Sequence, residues 1–213
     1  MPDNTSLIDH FNWRYATKVF DATRKVNDAD LATLEEALRL TPSSFGLQPW
    51  HFLIVTDEEI REKLLPLSWN QKQVTECSHY FVLCTRTDVD VDYIDRFVSE
   101  IANDRGTTIE ELQGYRDVMV DFVSRMPSVE RLTWATRQTY LALQRLMDTA
   151  ALLEIDACPM EGFSAPQYDE VLQLSEKNLT ASVCCAIGYR SAEDKYASLA
   201  KSRFPKEEVI SYL

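Results

Sequence analysis

Residues 132–153 constrain the fold more than any other stretch. Leu143, Leu146, Met147, Ala150 and Ala151 recur at helical spacing on one stripe, and Trp134, Tyr140, Leu141 and Leu152 form a second. A helix with so broad an apolar surface calls for cover on more than one side. At 1.5 Å per residue it would span about 30 Å. Two arrangements satisfy it: a helix buried within one subunit, and a central helix at a dimer interface.

Strands fall on either side of it. Phe52-Leu53-Ile54-Val55 is one, and the continuous apolar run Tyr80-Phe81-Val82-Leu83-Cys84 fits a strand covered on both faces. Residues 155–163 read as a short strand entering a turn, 181–188 as the last core strand, and 208–213 as a terminal extended segment. Helices separate most of these strands: residues 7–14, a helix capped by Asn27 with Asp28 and Asp30 in its first turn, and 57–65 closed by Pro66. The expected fold class is α+β, helices layered on a sheet. At 213 residues the chain fits one domain, spanning 1–213. Its departure is a charged helical excursion over 92–126, broken near Asn103-Asp104-Arg105-Gly106, which reads either as a lid or as a pair of peripheral helices.

Charge and composition exclude several classes. A net charge of -12 gives no basic footprint for nucleic acid or an anionic membrane. No stretch approaches ~18 uninterrupted apolar residues, and the N-terminus shows no basic segment followed by an apolar run. Cys77, Cys84, Cys158, Cys184 and Cys185 contain no C-x-x-C pair, and Cys84, Cys184 and Cys185 lie in strand-like runs. Buried, reduced thiols in a cytoplasmic protein are expected. His10, His51 and His79 form no zinc spacing. The five glycines build neither G-x-G-x-x-G nor G-x-x-x-x-G-K-[ST], so any nicotinamide chemistry must proceed without a Rossmann fingerprint.

Three stretches carry candidate chemistry. Between helix and strand lies Leu40-Thr41-Pro42-Ser43-Ser44-Phe45-Gly46-Leu47-Gln48-Pro49-Trp50-His51-Phe52, with two hydroxyls and a glycine that allows close backbone approach to a ligand. It also fits an ordinary turn. In Arg14-Tyr15-Ala16-Thr17-Lys18-Val19-Phe20, an extended backbone puts Arg14, Ala16 and Lys18 on one face. The two cations there suit a phosphate clamp or a solvated surface. Lys201-Ser202-Arg203 repeats the paired cations near the C-terminus.

Taken in order with Asn70 and Glu161-Gly162-Phe163, these segments resemble the flavin-dependent nitroreductase family. The similarity is greatest to its oxygen-insensitive nitroreductase and dihydropteridine reductase branch, and it covers nearly the whole chain. The resemblance implies a mixed sheet flanked by helices, in an intertwined homodimer with FMN at the subunit interface and NADH or NADPH as electron donor. Arg14, Lys201 and Arg203 are then suited to the FMN phosphate. Lys18 would face flavin N1 and the C2 oxygen, where a cation favours hydride acceptance. Tyr15, Ala16 and Gln48 belong to the same cofactor-binding segments. Asn70 would bond the pyrimidine edge, and the Glu161 and Gly162 backbone would meet N5. Ser43 and Ser44, from the partner subunit, would bind the phosphate and ribityl side, with Pro42 packed on the ring.

The implied activity is ping-pong hydride transfer from NAD(P)H to flat, electron-poor acceptors such as nitroaromatics and quinones. The cofactor carries the chemistry, so no side-chain nucleophile is needed; Lys18 and Glu161 are supporting residues. Two positions depart from the family: Gly46 stands for an asparagine, and Gln73 for a lysine beside the flavin, with Lys72 next to it. A reductive dehalogenase of the same fold, with Tyr115 and nearby carboxylates as its lid, and a non-catalytic FMN-binding protein are the alternatives. The apolar helix 132–153 supports the dimer, and aromatics such as Phe45, Trp69, Phe122 and Phe163 suit either a flat substrate or the core.

Overall fold

The structure, a computed structural model, describes residues 4–213. Four strands form one sheet in the order β1-β2-β4-β3: β1 Trp50–Val55, β2 His79–Arg86, β3 Asp156–Met160 and β4 Leu179–Gly188. All three ladders are antiparallel, and among the described residues the parallel component is one isolated bridge, Ala16 to Ala157. The inner strands β2 and β4 are covered on both faces, as their continuous apolar runs require. Phe81, Leu83, Val183, Cys185 and Ile187 point into one core; Tyr80, Val82, Cys84, Cys184 and Ala186 point into the other. Between Leu83 and Cys84 the register slips by one residue, and Ser182 is the extra residue. Its Oγ lies 2.6 Å from Thr85 Oγ1, which also meets buried Thr139 at 2.9 Å.

Helix α1 is Asn4–Trp13 and α2 is Asp28–Arg39. Asn27 caps α2 as expected, its Oδ1 accepting from Asp30 N at 2.9 Å. Asp57 caps α3, Glu58–Leu64, in the same way at 3.0 Å. A single turn, α4, covers Gln73–Glu76. The excursion is two helices, α5 Val91–Arg105 and α6 Gln113–Arg125, separated where Gly106 adopts φ +62. It has a core of its own, in which Ile94, Val98, Met119 and Val123 meet Leu47 and Trp134.

The broad apolar helix is α7, Ser128–Leu152. It begins earlier than its stripe suggests because Pro127 presets the entry (φ -54) and the first turn is polar. Ala142, Leu143, Leu146, Met147 and Ala150 bury against the sheet and α2. The second stripe divides: Trp134 is buried, whereas Tyr140, Leu141 and Leu152 are 36%, 49% and 48% exposed. The fold follows with α8, Ala165–Val171, between β3 and β4. The C-terminal segment differs from the extended expectation. Residues Lys206–Val209 make a one-turn helix, α9, started by Pro205 with Glu207 and Glu208 in its first turn. Residues 210–213 pair with no strand among the described residues.

All five cysteines are free and buried. Burial pushes the Cys77 thiol up to about 11 and Cys184 up to about 12. Among the described residues no helix is long and apolar enough to cross a membrane.

Candidate functional site

After α1 the chain runs extended, and two buried aspartates fix it. Asp194 Oδ2 accepts from Lys18 N (2.7 Å), Tyr15 OH (2.9 Å) and Val19 N (3.1 Å), while Oδ1 accepts from Tyr196 N (3.0 Å). Burial pushes this carboxyl up, but the four donors outweigh it and hold it below the usual carboxylate range. The same burial, with Asp194 beside it, pushes Tyr15 up to about 12. On the other side, Thr17 Oγ1 donates to Asp156 Oδ1 at 3.2 Å. Asp156 pairs with Arg190, whose guanidinium lies 4.2 Å from the Trp13 ring centre and 4.7 Å from that of Tyr15. Thr17 is thereby turned inward, and its neighbours Ala16 and Lys18 outward.

The outward face opens on a cleft of about 440 Å³ lined by Arg14, Ala16, Lys18, Lys201 and Arg203, with Trp13, Pro159 and Tyr196 as walls. Four cations thus converge in a chain of net charge -12. Lys201 also closes the C-terminal end of α1, since its Nζ donates to the carbonyls of Phe11 (2.6 Å) and Arg14. Burial, then Arg14 and Arg203, lower its pKa. Lys18 Nζ sits 3.9 Å from Cys158 Sγ at the floor. Gln73, the residue expected in place of a lysine beside the flavin, is a neutral amide only 6% exposed. Lys72 points to solvent and pairs with Glu76 at 3.9 Å, so it does not stand in.

A second group lies beyond β3. Glu161 and Gly162 follow Met160, and Glu161 Oε1 accepts from Tyr140 OH at 2.5 Å. Burial and then Glu161 raise the Tyr140 pKa. Gln71 Nε2 donates to Gly162 O at 3.0 Å. Trp69, 77% exposed, covers Gly162 so closely that a Cβ there would lie 2.7 Å from its ring. Trp69 and Asn70 are both left-handed (φ 55 each), which projects them outward. Phe163, by contrast, packs on buried Tyr168 with ring centres 4.7 Å apart.

The Ser-Ser loop forms a third group. Phe45, Gly46 and Gln48 adopt φ 56, 73 and 48. Ser43 Oγ accepts from Gln48 N at 2.9 Å, and Ser44 N donates to Gln138 Oε1 at 2.8 Å. Tyr93 OH shares its hydrogen between Leu47 O (2.9 Å) and Gln48 O (2.8 Å), and Tyr115 OH donates to Phe45 O at 2.6 Å. The close approach expected at Gly46 is to Phe97 of α5, not to an open site: a Cβ would meet Phe97 Cζ at 3.3 Å. Pro42 and Gln48 are exposed.

The predicted residues therefore gather in three places. The cation cleft and the Glu161–Gly162 group are neighbours along β3, but the Ser-Ser loop is separate. Gln138, which holds the loop, and Tyr140, which holds Glu161, are two residues apart on α7. At 100° per residue they project about 200° apart, so the loop and Glu161 lie on opposite sides of this helix. Sequence reasoning missed Asp194, Asp156, Gln138 and Tyr140. Asp194 lies in a charged loop between Glu193 and Lys195 with no local signal; Tyr140 is visible only as part of an apolar stripe.

The model of the Nitroreductase family matches residues 12–189. A Staphylococcus epidermidis protein with the provisional name NAD(P)H nitroreductase is 37% identical, covering 99% of this chain and 98% of its own. YfkO of Bacillus subtilis, named in the same provisional way, is 35% identical over 98% of both chains. The chain belongs to the nitroreductase family. Among solved structures, a Bacillus subtilis nitroreductase, ydfN, superimposes with TM-score 0.88 at 21% identity over 99% of this chain and 100% of its own. One from Exiguobacterium sibiricum, solved in complex with FMN, gives 0.82 at 20% over 100% and 98%. At these identities the two structures speak to the fold alone.

Proposed function

We propose that residues 1–213 form a single FMN-binding domain, acting as a homodimeric NAD(P)H-dependent oxidoreductase on electron-poor acceptors such as nitroaromatics and quinones. One observation carries this reading: four cations from both ends of an acidic chain line one cleft with aromatic walls. Such a donor set fits a phosphate, and the adjoining Glu161–Gly162 backbone and Asn70 suit the rest of a flavin mononucleotide. When bound, FMN supplies hydride acceptance and donation in a ping-pong cycle.

The chain's own residues hold and orient. Arg14 and Arg203 bind the phosphate, with Lys201 adding charge while it anchors α1. Lys18, fixed through its backbone by Asp194, presents its ammonium to the electron-rich pyrimidine side. Tyr140 restrains the Glu161 carboxylate and so steadies the neighbouring backbone. Ser43, Ser44 and Pro42 reach the cofactor from a second copy, since within one chain they lie across α7 from Glu161. The exposed Tyr140, Leu141 and Leu152 and the unpaired C-terminal residues give such a copy an apolar surface to cover. Trp69 forms one wall for a flat acceptor. Tyr115, which a dehalogenase lid would turn toward substrate, is bonded to Phe45 O. Reduced, buried thiols fit a cytoplasmic setting.

The test is an anaerobic absorbance scan of the purified protein. A flavin band should bleach on adding NADH or NADPH and return with a nitroaromatic or quinone. A persistent band would leave binding without hydride transfer, and no band after FMN is supplied would refute the site.

A further inference from the structure

The Ser-Ser loop is costly to hold and is held from a distance. Phe45 and Gln48 occupy the left-handed region without being glycine, with Gly46 between them. Within the loop, Gly46 N donates to Ser43 O (2.8 Å), Leu47 N to Ser44 O (3.2 Å) and Gln48 Nε2 to Gly46 O (3.3 Å). Besides Gln138 of α7, the long-range partners come from the excursion: Tyr93 of α5 donates to the carbonyls of Leu47 and Gln48, and Tyr115 of α6 to that of Phe45. Both tyrosines are themselves fixed. Tyr93 lies between the guanidinium groups of Arg86 and Arg96, 5.0 and 4.9 Å from its ring centre. The Tyr115 ring meets that of Phe45 at 6.4 Å, and Phe45 packs edge-on to Phe122 of α6 at 5.1 Å.

Ser44 N is taken by Gln138 and Ser43 Oγ by Gln48 N, while Ser44 Oγ has no hydrogen-bond partner among the described residues. A loop with three positive-φ positions is tied at three carbonyls by helices 46 and 70 residues away, and the Ser44 hydroxyl keeps its bonding capacity for a ligand. Tyr115 is 38% exposed, and an exposed tyrosine committed to one backbone carbonyl adds little to a core.

We infer that the excursion is a clamp for the cofactor loop: Tyr93 and Tyr115 are positioning residues that aim the Ser44 hydroxyl at the phosphate and ribityl side of FMN held in the partner's cleft. This rests on the FMN reading above. It assigns α5 and α6 a role in cofactor affinity, exerted through the loop they hold.

The experiment compares the full-length wild type with Tyr93→Phe and Tyr115→Phe, which keep the rings and remove only the hydroxyls. FMN is titrated into apo-protein by flavin fluorescence quenching, and the thermal midpoint of each apo-protein is measured alongside. Each variant should bind FMN about five-fold more weakly, the scale of one hydrogen bond. The decisive readout is a cycle with Ser44→Ala. On that background, Tyr115→Phe should weaken binding less than about two-fold, since the group it aims is gone. Unchanged FMN affinity in both tyrosine variants would overturn the clamp, as would a full five-fold loss that persists on the Ser44→Ala background. A drop in midpoint with unaltered affinity would make the tyrosines merely structural and overturn it too. A wild type that takes up no FMN would remove the cofactor reading and this inference together, so the two failures are distinguishable.

Discussion

Asp194→Asn tests whether the cation cleft is built by one buried carboxylate. Asp194 is 3% exposed and accepts four hydrogen bonds, three of them from backbone N–H groups. An asparagine has the same shape but one acceptor oxygen. Its better orientation keeps Tyr15, Lys18 and Val19 on that oxygen and turns its NH2 group against Tyr196 N. One orphaned N–H costs about 1–3 kcal/mol, and the remaining bonds lose their ionic share, so the total is about 3 kcal/mol. For a chain of this size that is a drop of roughly 6–12 °C in thermal midpoint. The pH dependence has a definite sign. The folded carboxyl is held below its unfolded value, so its contribution is full above about pH 4 and is lost as pH falls through the lower folded pKa. The difference between wild type and variant should therefore narrow in acid. Circular dichroism melts at pH 7 and in steps below pH 4 measure both effects. A midpoint within about 2 °C of wild type at pH 7, or a gap that widens in acid, would refute the reasoning.

Other perturbations follow from the same geometry. Lys18→Ala should slow reduction by NAD(P)H about ten-fold or more in stopped flow, yet leave the melt unchanged, because the side chain is exposed; an unchanged reduction rate would sink its assigned role. Gly162→Ala puts a methyl 2.7 Å from the Trp69 ring and 2.9 Å from Gln71 Nε2. Trp69 is free to swing out, so the fold should survive while tryptophan emission shifts and FMN binding weakens. Arg61 is 4% exposed and donates to Val74 O and Cys77 O, each at 2.6 Å. Arg61→Met orphans both carbonyls and should cost about 2–4 kcal/mol in urea unfolding.

Much of the fold is legible in the sequence because its signals are local. The Asn27 cap, the helix over 57–65 ended by Pro66, the apolar runs of β2 and β4 and the broad surface of α7 each need only neighbouring residues to be read. The extended face of Arg14, Ala16 and Lys18 is legible for the same reason, since a period of two requires no partner. What stays hidden depends on partners far away in sequence. Asp194 carries no signal until the segment at 15–19 is laid against it. The extended expectation for 208–213 fails because β-propensity is realised only beside another strand, and this segment has none among the described residues. Gly46 reads as room for a ligand, whereas the residue filling that room is Phe97, contributed by a helix whose own role the sequence leaves open.

The cation cleft also dictates an order of events. Tyr15 and Asp194 are 179 residues apart, and Arg14 and Lys201 are 187 apart. Closing a loop of that length is entropically slow, and the contacts reward it only once the intervening chain is already compact. The hairpin-like pairing of β1 with β2 has no such delay. During synthesis the sheet and its helices can therefore consolidate before the cleft exists. The cleft is completed only when residues 194–203 have left the ribosome and returned to the first helix. On the FMN reading, cofactor capture then becomes a late act of maturation, and a check that every element between the two flanks has already been made.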